Sequence, residues 1–267
     1  MGTSLSTWKA ILRFIAGQPH RLRGMQLVKR WHGTPVGRPS RVESDEDRRT
    51  PNPVRDYFDL HAEGPGMQKW RHYFDVYHRH LGKFVGRNPV VVEVGVESGG
   101  SLAMWRHYFG PGCRVHGIDI DPECIESQGP DIAIHIGDQA DRAMWKRFRE
   151  AVPQVDILID DGGHTALQQR VTVEEMLPHL RPGGVYICED VHGIGNRFAE
   201  FACALGHGLN DYGFTSDPSV EDTERTPFQA AIHSLHWYPF MVVIEKHASV
   251  PQPLRAPARG SRWLHPD

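Results

Sequence analysis

Cysteine is scarce in this chain of 267 residues, and none of its four cysteines stands in a Cys-x-x-Cys pair. Paired or regularly spaced cysteines would predict a disulfide framework or a zinc site, and neither is expected here. Most of the cysteines lie in or beside apolar segments, a pattern typical of buried thiols in a reducing compartment. We therefore expect a cytoplasmic protein without disulfide bonds.

Long apolar runs are also missing. No run approaches the roughly 18 residues that a membrane-spanning helix needs, and residues 5–17 are interrupted by Lys9 and Arg13, which argues against a signal peptide. The net charge of −3 lacks the basic excess typical of general nucleic-acid binders. We expect a small-molecule partner, and neither a nucleic acid nor a membrane.

Acidic residues are absent from residues 1–42, which carry eight Lys or Arg. Apolar residues recur at helical spacing from Leu5 to Ile15, which predicts a basic amphipathic helix. Such an arm could pack on the main domain, on a second subunit, on an acidic partner or on a membrane surface. We expect a homo-oligomer. Residues 33–52 lack an apolar period and predict a linker.

An aromatic stripe follows the linker. Its members recur at i, i+3, i+4 and i+7 spacing, which predicts an amphipathic helix; they are Trp70, Tyr73, Phe74, Tyr77, His80 and Leu81. Such a stripe packs into a core or covers a ligand. We expect this segment to form a lid or a subunit contact.

Strand-like and helix-like segments alternate beyond Pro89. The predicted strands are 90–95, 114–119, 132–136, 155–160 and 184–189, and the predicted helices are 99–109, 122–127, 140–150, 166–179 and 195–209. This alternation predicts an α/β protein with a mostly parallel sheet and helices on both faces. Segments 228–236 and 240–246 predict a closing antiparallel hairpin. We expect a helical N-terminal extension with linker and lid over 1–84, a main domain over 85–247 and an irregular tail over 248–267.

The dinucleotide fingerprint Gly-x-Gly-x-x-Gly is missing from the turn after the first strand, which runs from Glu93 through Gly95 and Gly99 to Ser101. A pyrophosphate cradle is therefore disfavoured. The glycines still allow the backbone to approach a ligand closely, and the next helix offers its N-terminus to an anionic group. Glu93, Gly95, Gly99 and Ser101 are our candidates for cofactor contact.

Polar side chains end the following strands. Asp119 is placed to accept hydrogen bonds from ribose hydroxyls, with capping of the next helix as the alternative. Asp138 and Gln139 are placed to reach an adenine edge, and Asp160 joins the candidates for cofactor binding. In this order and spacing, these residues resemble the class I S-adenosylmethionine-dependent methyltransferases over about residues 85–247. The resemblance implies a Rossmann-like, seven-stranded sheet and S-adenosylmethionine as the cofactor.

Four carboxylates end two strands that should be neighbours: Asp160, Asp161, Glu189 and Asp190. Like charges raise each other's pKa, and a bound divalent cation would resolve that conflict. Oxygen ligands in an open site favour Mg²⁺. Glu189 and Asp190 could both ligate only if the strand has begun to turn, because successive strand residues face opposite ways. Capping of the following helices is the alternative.

His164 follows Asp161 across a glycine turn. A histidine beside a metal could accept a proton from a substrate hydroxyl at neutral pH. Hydrogen bonding at the start of the next helix is the alternative.

Three segments carry a closer resemblance: Ile159 to His164, Leu180 to Tyr186 with Glu189-Asp190, and the final hairpin from Ile232 to Lys246. They resemble the metal-dependent sugar O-methyltransferases of macrolide biosynthesis, of the mycinamicin and macrocin type, and the related cephalosporin hydroxylase-like family. The chain differs from them in being shorter, with a basic arm in place of a longer auxiliary region.

This second resemblance implies that Mg²⁺ is held by Asp161, Glu189 and Asp190. It also implies that His164 is the catalytic base and that Asp161 takes part in catalysis. It implies methyl transfer to a hydroxyl, with a vicinal diol on a sugar or similar natural product as the acceptor. Two other classes stay open. A nicotinamide-dependent oxidoreductase would share the fold and Asp119, and a non-catalytic protein could bind an adenosyl ligand without needing His164.

Overall fold

Nine β-strands are present in the computed structural model, which describes residues 23–29, 51–193, 195–211, 222–223, 225–255, 257 and 259–260. They are β1 (Val90–Val94), β2 (Arg114–Asp119), β3 (Ile132–Ile136), β4 (Val155–Asp160), β5 (Leu180–Cys188), β6 (Asp222–Thr223), β7 (Ile232–Tyr238), β8 (Met241–Lys246) and β9 (Leu254–Arg255). Seven form one sheet in the order β3-β2-β1-β4-β5-β8-β7, and β6 pairs with β9. Strands β1 to β5 are parallel, whereas β8 and β7 are antiparallel to their neighbours. The expected fold class is confirmed.

The helices flank this sheet. They are α1 (residues 23–29), α2 (Pro53–Leu60), α3 (Tyr73–Leu81), α4 (Gly100–Phe109), α5 (Arg142–Ala151), α6 (Ala166–Met176), α7 (Arg197–Gly208) and α8 (Pro227–Ala231). Short 3-10 turns span Gly82–Phe84 and Pro122–Ser127. Val and Ile dominate β1 and β4, and every residue of these two strands is buried. Runs of this kind are typical of central strands covered by helices on both faces.

The direction of strand order reverses between β1 and β4. From this point the chain runs outward through β2 and β3 on one side and through β5 on the other. Val94 is paired with Asp160, and Asp160 with Cys188, so β1, β4 and β5 end side by side. Such a switch point opens a crevice at the carboxyl ends of the strands.

Two apolar clusters cover the two faces of the sheet. One contains side chains of α2, α3 and α4, including Phe74, Leu81 and Trp105. The other contains side chains of α5, α6 and α7, including Trp145 and Phe198. Helices α2 and α3, which precede β1, are therefore part of the sheet's own packing.

The chain divides into two compact units, residues 1–51 and 52–267. The expected boundary at residue 84 does not coincide with this division, because α2 and α3 are in the same unit as the sheet. In the first unit residues 23–29 and Pro51 are described, and residues 23–29 are helical. The predicted amphipathic helix from Leu5 to Ile15 lies outside the described residues.

Some boundaries differ from those predicted. β5 begins at Leu180 rather than at residue 184, with a register irregularity against β4 between Val155 and Ile157. Phe228 lies in α8 rather than in the hairpin, because Thr226 caps that helix through a capping box and a proline starts it. The tail, expected to be irregular, forms strand β9 over Leu254–Arg255. None of the helices in the described part of the chain is long and apolar enough to cross a membrane.

Two leucines test whether α3 is part of the core. Leu81 is fully buried and Leu60, at the end of α2, is 83% exposed. We expect Leu81→Ala to lower the free energy of unfolding by about 2–5 kcal/mol, because the lost side chain leaves a cavity. The matched change Leu60→Ala should stay within about 0.5 kcal/mol. Urea unfolding measures both, and equal effects would contradict the packing described here.

Candidate active site

A cavity of about 960 Å³ lies at the carboxyl ends of the central strands. Its walls are the turn after β1, the ends of β2 and β3, the segments after β4 and β5, and residues 66–71, which precede α3. We call residues 66–71 the cover loop. The cavity therefore contacts both groups of residues that the sequence singled out.

Glycines shape the turn after β1. Gly95 has a φ of 90° and Gly99 a φ of 79°, a region that favours glycine. A Cβ on Gly95 would lie 2.1 Å from the carbonyl oxygen of Asp161, and one on Gly99 would lie 2.5 Å from Ser127 Oγ. Gly95 lines the cavity, whereas Gly99 does not. The backbone thus approaches neighbouring segments here more closely than any side chain allows.

Asp119, at the end of β2, lines the cavity and is held by backbone donors. Its Oδ2 accepts from the N–H of Val96 at 2.7 Å and of Glu97 at 3.2 Å, and its Oδ1 accepts from the N–H of Asp121 at 2.9 Å. Burial alone would raise the pKa of Asp119, but these donors lower it below its ordinary value. Capping of the next turn falls to Asp121, which accepts from Glu123 N. Asp119 is therefore a fixed carboxylate facing the cavity.

Gln139 links the end of β3 to the turn after β4. Its Oε1 accepts from Gly163 N at 2.8 Å, and its Nε2 donates to Asp160 Oδ1 at 2.9 Å. Asp160 also accepts from Tyr186 Oη at 2.9 Å and is fully buried, and its pKa is raised by burial. Asp138 and Gln139 line the cavity, but Asp160 does not. Asp160 thus fixes the turn beneath the site rather than its surface.

Glu93 lies behind the cavity wall. It is fully buried and is not among the lining residues. Its Oε2 accepts from Ser101 Oγ at 2.8 Å and from Trp105 Nε1 at 3.0 Å. Burial raises the pKa of Glu93. Ser101 lines the cavity, so of this pair only Ser101 faces a ligand placed there.

Asp161, His164 and Asp190 converge where the segments after β4 and β5 line the cavity. One potential ligand atom from each lies within 4.8 Å of the other two. His164 Nε2 is 3.8 Å from Asp190 Oδ2. His164 and Asp190 have φ angles of 55° and 54°, in the left-handed region that non-glycine residues seldom adopt. The chain has therefore already turned away from β5 at Asp190, as joint ligation with Glu189 would require.

Helix capping does not account for these residues. Thr165 caps α6 through a capping box with Gln168, and Asn196 caps α7. His164 and the carboxylates after β4 and β5 are thus left facing the cavity rather than a helix end.

Lys69, a residue that the sequence did not single out, lies within this acidic cluster. Its Nζ is 2.5 Å from Asp161 Oδ2 and 3.3 Å from an oxygen of Glu93. It is also 3.3 Å from Glu189 Oε2, and only 3% of the Lys69 side chain is exposed. Burial would lower the pKa of Lys69, but the surrounding carboxylates raise it well above its ordinary value. Lys69 is therefore an ammonium ion.

Glu189 accepts hydrogen bonds from a residue of α3 and from a residue of the cover loop. It is 1% exposed, and its Oε1 accepts from Tyr77 Oη at 2.6 Å. Burial and the charges of Asp161 and Glu93 raise its pKa to about 8, against the opposing influence of Lys69 and Tyr77. Glu189 lines the cavity but is not one of the converging ligand residues.

The aromatic stripe both packs in the core and reaches the site. Tyr73 Oη donates to Asp190 Oδ1 at 2.8 Å, and Trp70 Nε1 donates to the same oxygen at 3.1 Å. Phe74 and Leu81 of the same stripe are fully buried in the core. The helix predicted from the stripe begins only at Tyr73, so Trp70 precedes it in the cover loop. The stripe packs in the core, and its members Trp70 and Tyr73 also line the cavity.

The chain is similar in sequence to a family of known proteins. Residues 92–191 match a family model described as a methyltransferase domain. The chain is 30% identical over 207 residues to an 8-demethyl-8-alpha-L-rhamnosyl tetracenomycin-C 2'-O-methyltransferase of Streptomyces olivaceus, covering 69% of this chain and 53% of that protein. It is 33% identical to a demethylmacrocin O-methyltransferase of Streptomyces fradiae, covering 64% of this chain and 47% of that protein.

A solved structure is also similar. It is the MycE methyltransferase from the mycinamycin biosynthetic pathway in complex with Mg and SAH, with 25% identity and a TM-score of 0.61. The similarity covers 74% of this chain and 55% of that one. The chain spans about half the length of the curated relatives it matches. Residues 92–191 are therefore similar to a methyltransferase domain, and the chain is similar to O-methyltransferases of sugar-bearing natural products, as the sequence resemblance implied.

Proposed function

We propose that this chain is an S-adenosylmethionine-dependent, Mg²⁺-dependent O-methyltransferase that acts on a hydroxyl of a sugar or similar natural product. One observation carries the proposal: a single cavity is lined both by Asp119 and Gly95 and by Asp161, His164 and Asp190. A cofactor bound at the first group would lie in the same cavity as an acceptor held at the second.

The cofactor side suits an adenosyl group. Asp119 presents a carboxylate with a lowered pKa, so it stays ionised and accepts hydrogen bonds from ribose hydroxyls. Asp138 and Gln139 follow at the end of the next strand, at the place where an adenine edge would lie. The glycine turn lets the backbone approach the rest of the ligand.

The donor set of the other side suits Mg²⁺. Asp161 and Asp190 offer carboxylate oxygens with His164 beside them, and both carboxylates remain accessible, with 20% and 21% of their side chains exposed. Glu189 supplies a further carboxylate if it turns from Tyr77 and Lys69. When bound, Mg²⁺ would hold neighbouring substrate oxygens and lower the pKa of the attacking hydroxyl.

His164 is the proposed base. Its ring is partly exposed, lines the cavity and lies beside Asp190, which can orient it and stabilise its protonated form. His164 would accept the hydroxyl proton as the oxygen attacks the methyl carbon, and the sulfur would leave with the bonding electron pair. A vicinal diol fits the proposal, because two adjacent oxygens can chelate one cation. We also propose that the protein is a homo-oligomer. A cytoplasmic location is favoured by its buried free thiols, which are Cys113, Cys124 and Cys188.

Cofactor binding tests the first half of the site. We expect Asp119→Ala to weaken S-adenosylmethionine binding by about 1.5–3 kcal/mol, because hydrogen bonds to a charged acceptor are lost. Isothermal titration calorimetry measures the effect. Asp75→Ala, at a residue on the exposed face of α3 that does not line the cavity, is the matched control and should bind normally. Unchanged affinity in Asp119→Ala would remove Asp119 from the site, and tight binding of a nicotinamide cofactor instead would favour an oxidoreductase.

Metal dependence tests the second half. Methyl transfer to glycosides that carry vicinal hydroxyls, followed through the release of S-adenosylhomocysteine, should stop after exhaustive chelation and return with MgCl₂. Binding of S-adenosylmethionine should survive chelation, because Asp119 is not a member of the cluster formed by Asp161, His164 and Asp190. Full activity after chelation would refute the role of the metal.

The role of His164 can be separated from a structural one. We expect His164→Ala to keep near-normal cofactor affinity and melting temperature but to reduce kcat at least about a hundredfold, the usual effect of losing a general base. His207→Ala, on the exposed face of α7, serves as the control. If His164→Ala retains most of the activity, the proton leaves by another route, such as the Asp161 carboxylate.

A further inference from the structure

The ammonium group of Lys69 lies among the carboxylates that the proposed function assigns to a divalent cation. Its shortest contact, 2.5 Å, is with Asp161 Oδ2, and Glu93 and Glu189 are each at 3.3 Å. With 3% of the side chain exposed, these carboxylates rather than water solvate the charge. The protein itself thus supplies a cation at this position.

The cover loop is attached to the site through the same carboxylates. Lys69 contacts Asp161, and Trp70 Nε1 donates to Asp190 Oδ1 at 3.1 Å. Asp161 and Asp190 are also the two carboxylates that converge with His164. Whatever binds these oxygens therefore competes with the attachments of the cover loop.

We propose that Lys69 is a tethered cation that holds the place of the divalent ion against Asp161 and Glu189, and that binding of the ion expels Lys69 and detaches the cover loop. This inference rests on the proposed function in its requirement for a divalent cation. Mg²⁺ draws carboxylate oxygens to about 2.0–2.1 Å. An ammonium group on the same carboxylates would then lie within a few ångströms of a doubly charged ion, and the two would repel strongly in so buried a site.

The consequence concerns access to the cavity. The cover loop lines the cavity, and its Trp70 side chain is 49% exposed at the surface. Displacement of the loop by the ion would widen the entrance on the side where the acceptor must lie. Metal binding would then prepare the site for an acceptor as well as activate it.

Limited trypsin digestion tests this in the unmodified protein. Trypsin cleaves after lysine, and the Lys69–Trp70 bond is protected while Lys69 is buried. Because proteolysis follows the population of the open form, we expect MgCl₂ to accelerate cleavage after Lys69 several-fold, as read by mass spectrometry. Cleavage after Arg87, in an exposed turn outside the cavity, should keep its rate. Unchanged or slower cleavage after Lys69 at saturating MgCl₂ would overturn the proposal.

Metal affinity gives an independent test. We expect Lys69→Met to bind Mg²⁺ at least about tenfold more tightly in calorimetry, a gain of about 1.4 kcal/mol, because the competing cation is gone. Lys69→Arg keeps the charge and should show no gain. Lys83→Met is the matched control, because this lysine is 42% exposed and pairs with Glu245. Equal or weaker binding by Lys69→Met would contradict the inference.

The calorimetric results also separate this inference from the proposed function. If only Lys69→Met binds Mg²⁺, then Lys69 does hold the ion's place, and the metal dependence of the unmodified enzyme is refuted. If neither protein binds Mg²⁺, the metal part of the proposed function and this inference fail together, whereas S-adenosylmethionine binding stands on its own measurement.

Discussion

Negative charge concentrated at the ends of β1, β4 and β5 is the constraint on which much of this structure depends. Glu93 and Glu189 are almost inaccessible to water, and burial raises the pKa of each. A buried carboxylate needs hydrogen-bond donors or a counter-charge, because neither water nor apolar side chains can stabilise it there. Ser101 and Trp105 donate hydrogen bonds to Glu93, and Tyr77 donates one to Glu189. The Lys69 ammonium group donates to both carboxylates.

The same requirement explains why α3 packs as part of the sheet's unit. One face of α3 places Phe74 and Leu81 in the apolar cluster, and its tyrosines extend toward the strand ends. Tyr77 reaches Glu189 and Tyr73 reaches Asp190. Helix α3 therefore has two functions: its apolar side chains cover the sheet, and its tyrosines donate hydrogen bonds to the carboxylates at the strand ends.

The sequence allows the sheet and most of the site to be predicted, because those signals are local. Apolar runs predicted the strands, and Asp119, Asp161 and Asp190 could be placed because parallel strands end at one edge. Lys69 carries no local signal: it precedes α3 in a loop, and it is separated by 92 residues from Asp161 and by 120 from Glu189. Lys69 reaches these carboxylates only because the cover loop packs against the strand ends. Glu93 and Asp160 illustrate the opposite difficulty, since a strand end indicates which edge a residue occupies but not whether it faces the cavity or lies beneath it.

Strand β5 includes a segment whose sequence is typical of a turn. Arg181-Pro182-Gly183-Gly184 has the composition of a turn, yet these residues belong to β5, where its pairing with β4 begins at Leu180 and resumes at Val185. Arg181 and Pro182 are exposed at this end of the strand, a place where the missing backbone donor of a proline costs little.

Some residues of the site lie in the segment that matches the family model, and others lie outside it. The matched methyltransferase domain, residues 92–191, contains Asp119, Asp161, His164 and Asp190, all on segments fixed by the sheet. His164 and Asp190 each adopt a left-handed backbone just beyond a strand, so their positions depend on that rigid framework. The cover loop lies outside the matched domain and contacts the site through the side chains of Lys69 and Trp70. The residues of the site that lie in the matched domain are therefore held by the sheet, whereas the contacts of Lys69 and Trp70 depend on how a segment outside that domain packs.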